Sequence, residues 1–526
     1  MDADGGAPFG NLVGGSLTGG LDVRVGPDVS PVLGQYVSAA LGDGRTLIGM
    51  VTDVALKAAE PAAVAWPPAP GDAPRDRLLR EVLAGTAVFT AAEVTPYLEL
   101  VADSEPVRAR SLPRHFEAVR LADQATVDAA FRVAGDAVHL GSPLGMADVE
   151  VCVDLERLFE RSAGVFGKSG TGKTVLTLQL LDAALARTGR APTAAARTVA
   201  LIFDMHNDYG RSLKFEGGHR RSLREKHPAD LTVYGLESGD VDVDGWLEIG
   251  TRDIEPEDLA VLQSAGHFTG PGIEAAYEFR ERFGKDWVDE LLERDPSERV
   301  VHASWPEAGE PDEVNWARVA GRLGIHPASL DSLRRGLRHF ERRKVVRSGS
   351  NQFGGSLDRI VKTLQGGKSV VVQFGRYGSD LVTYMLVANM LSRRIWERYR
   401  DAVEQASRGD GPEPNRLVIV VEEAHKFMDR GLAGLGIFGQ IARELRKYNV
   451  TLLVIDQRPS QIDPEVLSQI GTKFCFQLDS DSDVEALVGG GCRASVPAPG
   501  HRHAREPPAV ARLRSRAGDA GCGANG

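Results

Sequence analysis

The sequence predicts an α/β protein whose doubly wound parallel sheet carries a helical insertion and is preceded by a small N-terminal β-barrel. From about residue 150, compact apolar runs alternate with helical stretches, as in parallel strands that are buried on both faces. One of these runs leads into a glycine-rich loop and then a helix, the place where such sheets bind ligands. Before residue 115 the runs are short, rich in Val, Thr and Tyr, and separated by glycines, which favours a barrel.

The barrel is assigned to residues 1–115, with candidate strands at 34–41, 46–56 and 86–94. The proline-rich segment 58–76 between two of these strands predicts a long loop. Residues 116–149 are predicted to connect the barrel to the next domain.

The α/β core is assigned to residues 150–488. After the first strand, which precedes the glycine-rich loop, further apolar strands are predicted within 197–210, 368–376, 415–427, 450–460 and 472–480.

The region 215–350 is predicted to be a helical insertion without strands. Asp253 and the acids that follow it indicate the start of a helix. Four of the six tryptophans fall in this region and are expected in its core, with base-stacking platforms as the alternative. The tail 489–526 is rich in Arg, Pro and Gly and is predicted to be disordered, or else a nucleic-acid-binding arm.

Composition excludes few classes of function. The chain has 526 residues, enough for roughly three domains of ~150 residues each. No apolar run reaches the roughly 18–20 residues that span a bilayer, and the acidic N-terminus does not resemble a signal peptide, so we expect a cytoplasmic protein without membrane contact. The four cysteines lack paired spacing. A net charge of −11 disfavours coating nucleic acid with the whole surface but permits a basic pore.

Residues 167–174 match the pattern G-x-x-x-x-G-K-[ST] of a phosphate-binding loop, the P-loop. Its glycines allow backbone N–H groups to surround phosphates at a helix N-terminus. Lys173 is expected to reach the β- and γ-phosphates of a nucleotide, and the Thr174 hydroxyl to coordinate Mg²⁺. The predicted nucleotide-binding residues are Gly167, Lys168, Ser169, Gly170, Thr171, Gly172, Lys173 and Thr174.

Two carboxylates follow the apolar strand within 415–427. The first, Glu422, is the expected support of Mg²⁺, and the next, Glu423, is placed to act as general base on the attacking water. The alternative for either residue alone is a carboxylate that complements a helix dipole.

Gln457 lies just after the next strand and is a candidate γ-phosphate sensor, with an ordinary loop residue as the alternative. The stretch FDMHNDYG offers Asp204, His206 and Asp208, which either bind a metal or position a neighbouring loop.

Phosphoryl transfer also needs positive charge at the transferred group, often from an arginine of a neighbouring subunit. The candidates are Arg161, just before the P-loop strand, and Arg443 and Arg446 on the helix between the two strand motifs. The alternative is that they form weak surface ion pairs. Seven basic residues against one acid in 334–347 predict a solvated helix face or, alternatively, a nucleic-acid-binding stripe.

Together these residues resemble the HerA-like branch of the HerA/FtsK ATPases. The resemblance covers residues 10–488 and rests on GVFGKSGTGKTVLT, FDMHNDYG, LVIVVEEAHKF and the Arg-rich helix that leads into DQRPSQID. It implies a HAS-type barrel, a RecA-like P-loop core, and a homohexamer that uses ATP and Mg²⁺ to translocate or unwind double-stranded DNA. It further implies a nuclease partner of the NurA type, or another effector, in DNA end processing or repair.

The resemblance assigns the acidic pair to Glu422 and Glu423, the sensor to Gln457, and charges acting across subunits to Arg161, Arg443 and Arg446. The chain departs from it at Ser162, where many relatives have His, and after residue 488, where relatives continue with further strands; we expect the tail to be aberrant. An ATPase that gates a partner effector, or a nucleotide-dependent ring scaffold, is the alternative function. DNA-stimulated ATP turnover separates the motor from both.

Overall fold

The structure is a computed structural model that describes residues 6–489, and the internal positions that it leaves undescribed are 60–61, 66–72, 84–86, 102–103, 132–136, 189–190, 192, 194–195, 216–217, 237–241, 264, 294–319, 322–323, 343–344, 348–354 and 430–435. Within the described part, one compact unit ends at Leu155 and the second begins at Glu156. We call them the barrel unit and the sheet unit. The predicted tail 489–526 lies outside the described residues apart from Gly489.

The barrel unit contains β1 (Pro8–Ser16), β2 (Gly20–Val25), β3 (Tyr36–Ala40), β4 (Thr46–Ala58), β5 (Val88–Leu100), β6 (Val107–Arg108), β7 (Ala118–Leu121), β8 (Val138–Gly141) and β9 (Val151–Val153), with helices α1 (Ala62–Ala65), α2 (Pro74–Leu83) and α3 (Gln124–Phe131). Six antiparallel strands follow one another in the order β2-β1-β7-β3-β4-β5, and β5 also pairs with β2. This last pairing closes the sheet into a barrel. Alternate side chains of the strands fill it, among them Phe9, Val23, Val37, Val94 and Val119.

The barrel extends past the predicted boundary at residue 115. Strand β7 lies between β1 and β3 and falls in the segment 116–149 that was predicted to be a connector. It belongs to the barrel because Val119 adds its side chain to the barrel core. The loop predicted at 58–76 also contains helix α1 and the first turn of α2, which starts at Pro74, a residue suited to the first turn of a helix.

The sheet unit contains strands β10 (Ala163–Phe166), β11 (Thr198–Asp204), β12 (Leu213–Phe215), β13 (Gly218–Arg220), β14 (Leu231–Gly235), β15 (Gly245–Trp246), β16 (Ile249–Gly250), β17 (Val346–Arg347), β18 (Ser369–Gln373), β19 (Arg416–Glu422), β20 (Val450–Asp456) and β21 (Thr472–Cys475). Its longer helices surround the sheet. In chain order, the helices from the unit boundary onward are α4 (Leu155–Phe159), α5 (Lys173–Thr188), α6 (Leu223–Lys226), α7 (Pro256–Ala260), α8 (Gly270–Phe283), α9 (Trp287–Glu293), α10 (Pro327–Arg342), α11 (Ser356–Gln365), α12 (Leu381–Ser407), α13 (Ile437–Glu444), α14 (Pro464–Gln469) and α15 (Asp481–Gly489).

Eight parallel strands form the main sheet in the order β15-β14-β18-β11-β19-β20-β10-β21. Its central strands are buried on both faces, so the α/β class and the strands expected from the apolar runs are confirmed. The carboxyl ends of β10, β11, β19 and β20 therefore meet at one edge of the sheet.

The segment 215–350 is not purely helical. It does contain α7 to α10, but β14 lies inside it and occupies a place in the main sheet between β15 and β18. The run LTVYG is only five residues long and is followed by polar sequence, which hid it among the helices. Asp253 lies in a short 3-10 turn, Thr251–Asp253, and α7 starts at Pro256.

Trp287 is fully buried in the core of the helical part, and its Nε1 donates to the backbone oxygen of Ile254 at 3.0 Å. This tryptophan is therefore a core residue, as expected. Trp246 is half-buried, and Trp305 and Trp316 lie outside the described residues. None of the described helices combines the length and the apolar character that a bilayer crossing requires.

Candidate nucleotide site

The P-loop follows β10 directly and passes into α5 at Lys173. Three of its glycines have positive φ angles, 154° at Gly167, 77° at Gly170 and 105° at Gly172, a region that side chains disfavour. At Gly167 the loop also runs against Phe476, where an added Cβ would lie 2.5 Å from the Phe476 Cβ. The segment after β21 thus forms one wall of the loop, and Lys168 contacts it through Asp479, with 3.5 Å between Nζ and Oδ1.

Lys173 is half-buried and bends back over the loop. Its Nζ donates to the carbonyl oxygens of Gly167 at 2.6 Å and Lys168 at 2.9 Å. Burial lowers the pKa of Lys173, while the nearby carboxylates of Glu423, Asp456 and Glu422 act to raise it. The lysine is therefore within electrostatic reach of the carboxylates that end β19 and β20.

Gly167→Ala is expected to destabilise the sheet unit by about 2–3 kcal/mol, because alanine combines backbone strain with overlap against Phe476. The matched control is Gly170→Ala, which also needs a positive φ but meets no atom within 4 Å. Thermal unfolding and nucleotide affinity of both variants check this. Equal losses in the two variants would contradict the role of the Phe476 wall.

Glu422 ends β19 with its side chain buried. Tyr209, which is itself fully buried, donates its hydroxyl to Glu422 Oε1 at 3.1 Å, whereas Oε2 is buried without a hydrogen-bond partner. Burial, reinforced by Asp204, raises the pKa of Glu422 to about 8.

A buried carboxylate oxygen without a partner fits a divalent cation, which would neutralise the charge and satisfy the free lone pairs. The described residues contain no group of three or more His, Cys, Asp and Glu side chains suited to hold a metal ion unaided. In P-loop proteins one carboxylate and a Ser or Thr hydroxyl share Mg²⁺ with substrate phosphates. Thr174 and Glu422 are the residues here that would hold it.

Glu422→Gln is expected to raise the melting temperature by a few degrees at pH 8.5 in a chelator, and to change it little at pH 5. The folded state holds a proton on Glu422 up to about pH 8, while the unfolded chain releases it near its ordinary pKa of 4.5. Wild-type stability therefore falls as pH rises between these values, and glutamine removes that loss. Melting curves at both pH values check this, with Glu465→Gln as an exposed control. A gain of equal size at both pH values would contradict it.

Glu423 has a left-handed backbone, with φ 51° and ψ 45°, immediately after a buried strand. This conformation is uncommon for residues other than glycine and costs about 1–3 kcal/mol where it is held. The Glu423 side chain remains partly exposed, and its Oε1 accepts a hydrogen bond from Gln457 Nε2 at 3.0 Å. The structure thus brings the candidate base and the candidate sensor into contact.

The FDMHNDYG stretch positions a loop. The buried carboxylate of Asp204 accepts hydrogen bonds from the backbone N–H groups of Asp208 at 2.7 Å, Tyr209 at 3.0 Å and Gly210 at 2.9 Å. Burial raises the pKa of Asp204 to about 6. His206 is exposed, so the geometry favours loop positioning over metal binding. The positioned loop places the Tyr209 hydroxyl within hydrogen-bond distance of Glu422.

Arg161 and Arg443 contact residues of their own chain outside the P-loop, and the side chain of Arg446 is outside the described part. Arg161 is exposed, with its stem against Gly471. It precedes the amino end of β10, whereas the P-loop follows the carboxyl end, about 13 Å further along the strand. Arg443 forms an ion pair with Glu465, 3.4 Å between Nη1 and Oε2. Arg446 lies in the 3-10 turn Leu445–Tyr448, and its side chain is outside the described part.

Part of the basic segment 334–347 has a structural role. Arg334 and Arg338 on α10 donate to the carbonyl oxygens of Leu291 at 3.1 Å and Leu292 at 3.4 Å, near the end of α9. Positive side chains at a helix C-terminus are favourable. Arg343 and Lys344 lie outside the described residues.

Two residues of the site escaped sequence analysis. Tyr209 was not singled out although it contacts Glu422, and Asp456, the last residue of β20, is buried beside Gln457. The available signal for Asp456 was a carboxylate at the end of an apolar strand, the same signal that marked Glu422.

Known proteins resemble this chain in sequence. The family model described as DUF87, "Helicase HerA, central domain", matches residues 138–395. The DNA double-strand break repair helicase HerA of Pyrococcus furiosus is 22% identical over 384 residues, which cover 67% of this chain and 63% of that protein. The HerA helicase of Sulfolobus acidocaldarius is 30% identical over 131 residues, 24% of this chain and 26% of that protein.

Among solved structures, VirB4 of Thermoanaerobacter pseudethanolicus aligns over 68% of this chain and 88% of its own, with 15% identity and a TM-score of 0.39. The bacterial conjugative coupling protein TrwB aligns over 70% of this chain and 74% of its own, with 14% identity and a TM-score of 0.37. The chain spans less than two thirds of the HerA relatives named above. The matched segment, residues 138–395, contains the complete P-loop, and this part of the chain is similar to the central domain of the HerA helicases.

Proposed function

We propose that this protein hydrolyses ATP and uses the energy to translocate or unwind double-stranded DNA as a homohexamer. The observation that carries the proposal is the meeting of Lys173, Glu422 and Glu423 at one edge of the sheet, where Gln457 bonds Glu423 at 3.0 Å. A P-loop beside a glutamate that is hydrogen-bonded to a glutamine supports ATP hydrolysis as well as ATP binding. The names of the HerA relatives support DNA as the substrate that is moved.

In the proposed reaction, the backbone N–H groups of residues 167–174 bind the phosphates of ATP. Lys173 exchanges its bonds to the loop carbonyls for bonds to the β- and γ-phosphates. Mg²⁺, when held by Thr174 and Glu422, would supply charge neutralisation at the phosphates. Glu423 accepts a proton from the attacking water, and Gln457 orients the Glu423 carboxylate and senses the γ-phosphate.

The position of Arg161 supports sites that are shared between subunits, as the proposed hexamer requires. Arg161 lies at the opposite end of β10 from its own P-loop, so we place it in the site of the neighbouring subunit, with Arg443 and Arg446 as further candidates for that role. Each site would then form between two subunits. Grip on DNA would be electrostatic and independent of sequence.

We further propose that the protein is cytoplasmic and acts in DNA end processing or repair with a nuclease of the NurA type. Binding experiments with purified components identify the partner, and strand-displacement experiments give the polarity of movement.

The test is ATP turnover with and without duplex DNA, together with the particle mass of the same preparation, and Lys173→Ala as background control. We expect hexamers whose turnover rises severalfold with duplex DNA. Hexamers that hydrolyse ATP at a rate insensitive to DNA would refute the motor and favour an ATPase that gates a partner effector. Partner recruitment that persists in Lys173→Ala would favour a scaffold.

A further inference from the structure

Asp456 is a buried carboxylate that belongs neither to the P-loop motif nor to the acidic pair. It is the last residue of β20, the strand that lies between β19 and the P-loop strand β10 in the sheet. Its side chain has no exposed surface. Its backbone oxygen accepts a hydrogen bond from Gly167 N at 3.1 Å, which ties the first residue of the P-loop to the end of β20.

The Asp456 carboxylate joins the loops that follow β19 and β20. Its Oδ2 accepts hydrogen bonds from the backbone N–H of His425 at 2.7 Å and from His425 Nδ1 at 2.9 Å. Its Oδ1 accepts from the backbone N–H of Arg458 at 2.6 Å. Carboxylate oxygens accept, so the proton of the His425 ring in this bond lies on Nδ1.

These bonds lie next to the strained backbone at Glu423. Left-handed conformations of residues other than glycine persist only where the surroundings hold them. His425 is two residues after Glu423, and its bonds to Asp456 fix the short turn Ala424–Lys426 that begins there. On the other side, Gln457, which bonds Glu423, lies between Asp456 and the bonded N–H of Arg458.

We propose that Asp456 is a positioning residue for ATP hydrolysis. Its carboxylate bonds the loops that follow β19 and β20, so that Glu423 and Gln457 face the attacking water in a fixed geometry. We call the bonds from Asp456 to His425 and Arg458 the clasp. Asp456 acts through His425 and Arg458 and touches no substrate. The inference rests on the proposed ATP hydrolysis and names a residue that neither the acidic pair nor the sensor includes.

The kinetic test compares Asp456→Ala and Asp456→Asn with wild-type protein. We expect Asp456→Ala to lower kcat about 10- to 100-fold while KM for ATP and the affinity for fluorescent ADP change less than about threefold, because small displacements of a catalytic group cost this much without affecting phosphate binding. Asp456→Asn keeps one acceptor oxygen, so its kcat should lie between those of wild-type protein and Asp456→Ala. Adding His425→Ala to Asp456→Ala should lower kcat little further, since both changes break the same clasp.

The matched control is Asp258→Asn. Asp258 is another fully buried carboxylate of the sheet unit, bonded to Arg393 at 2.7 Å and Asn389 at 3.0 Å among the helices. Its loss should lower the melting temperature without lowering kcat of the folded protein. A kcat loss in Asp258→Asn as large as in Asp456→Ala, or an effect of Asp456→Ala on KM alone, would overturn the positioning role.

Hydrogen–deuterium exchange tests the clasp without turnover. Asp456→Ala should accelerate exchange over residues 423–428 and 457–461 and leave α5 protected, and unchanged exchange in both segments would overturn the inference. Wild-type protein that binds ATP without hydrolysing it would refute the proposed function, and the exchange measurement would still decide whether the clasp exists.

Discussion

Glu423→Gln is expected to bind ATP about as tightly as wild-type protein and to hydrolyse it about 100- to 10,000-fold more slowly. Glutamine preserves the size of the side chain but cannot accept the proton of the attacking water, and general base catalysis contributes a factor of this order. In wild-type protein, Glu423 Oε1 accepts a hydrogen bond from Gln457. The side-chain oxygen of the introduced glutamine can accept the same bond, so the contact between the two loops can persist. Fluorescent-nucleotide binding and steady-state turnover measure the two quantities.

Two variants frame this result. Lys173→Ala should lose both affinity and turnover, since it removes the group expected on the phosphates. Gln457→Ala should keep the acid and lower turnover less than Glu423→Gln. Normal turnover in Glu423→Gln would remove Glu423 as the base.

Arg161→Ala is expected to lower turnover about 1,000-fold or more, the range over which a trans-acting arginine accelerates phosphoryl transfer. Mixing Arg161→Ala subunits with Lys173→Ala subunits should restore part of the activity. In a mixed ring, some interfaces pair an intact P-loop with an intact Arg161 of the neighbour, although each variant alone has none. Turnover as a function of mixing ratio measures this.

Arg443→Ala provides the comparison, because Arg443 already has Glu465 as an ion-pair partner within its own chain. If Arg443 acts across subunits, its variant shows the same recovery on mixing. Absence of recovery in mixtures of Arg161→Ala with Lys173→Ala, in particles of wild-type mass, would contradict the trans role of Arg161.

Local sequence patterns were sufficient for the α/β class and for the ends of the central strands. The P-loop, Glu422 and Gln457 each come at the end of an apolar run, and such runs are readable because a strand buried on both faces has few polar positions. The same rule failed for β14, whose five residues lie among helices, and for β7, whose four residues pair with β1 and β3, two strands far earlier in the chain.

Contacts between distant segments were not predictable from such patterns. The Tyr209 hydroxyl bonds a carboxylate 213 positions away, and Asp456 bonds the backbone N–H of a residue 31 positions earlier. Each contact depends on which strands become neighbours in the sheet, a property of topology that no single segment encodes. A carboxylate at a strand end therefore indicated that a polar group would lie at this edge, without indicating what it would bond.

The placement of β10 in the sheet has a consequence for how the chain acquires its structure during synthesis. The neighbours of β10 are β20 and β21, and Leu452 N donates to Ser162 Oγ across a separation of 290 positions. The P-loop leaves the ribosome well before its supporting strands, because Ser162 and Leu452 are 290 positions apart, so the loop stays unsupported while that part of the chain is made. Such long-range pairing is slow and exposes apolar segments to aggregation in the meantime. Shortened chains that stop before β20 should accordingly need chaperones and fail to bind nucleotide, even though their P-loop is complete.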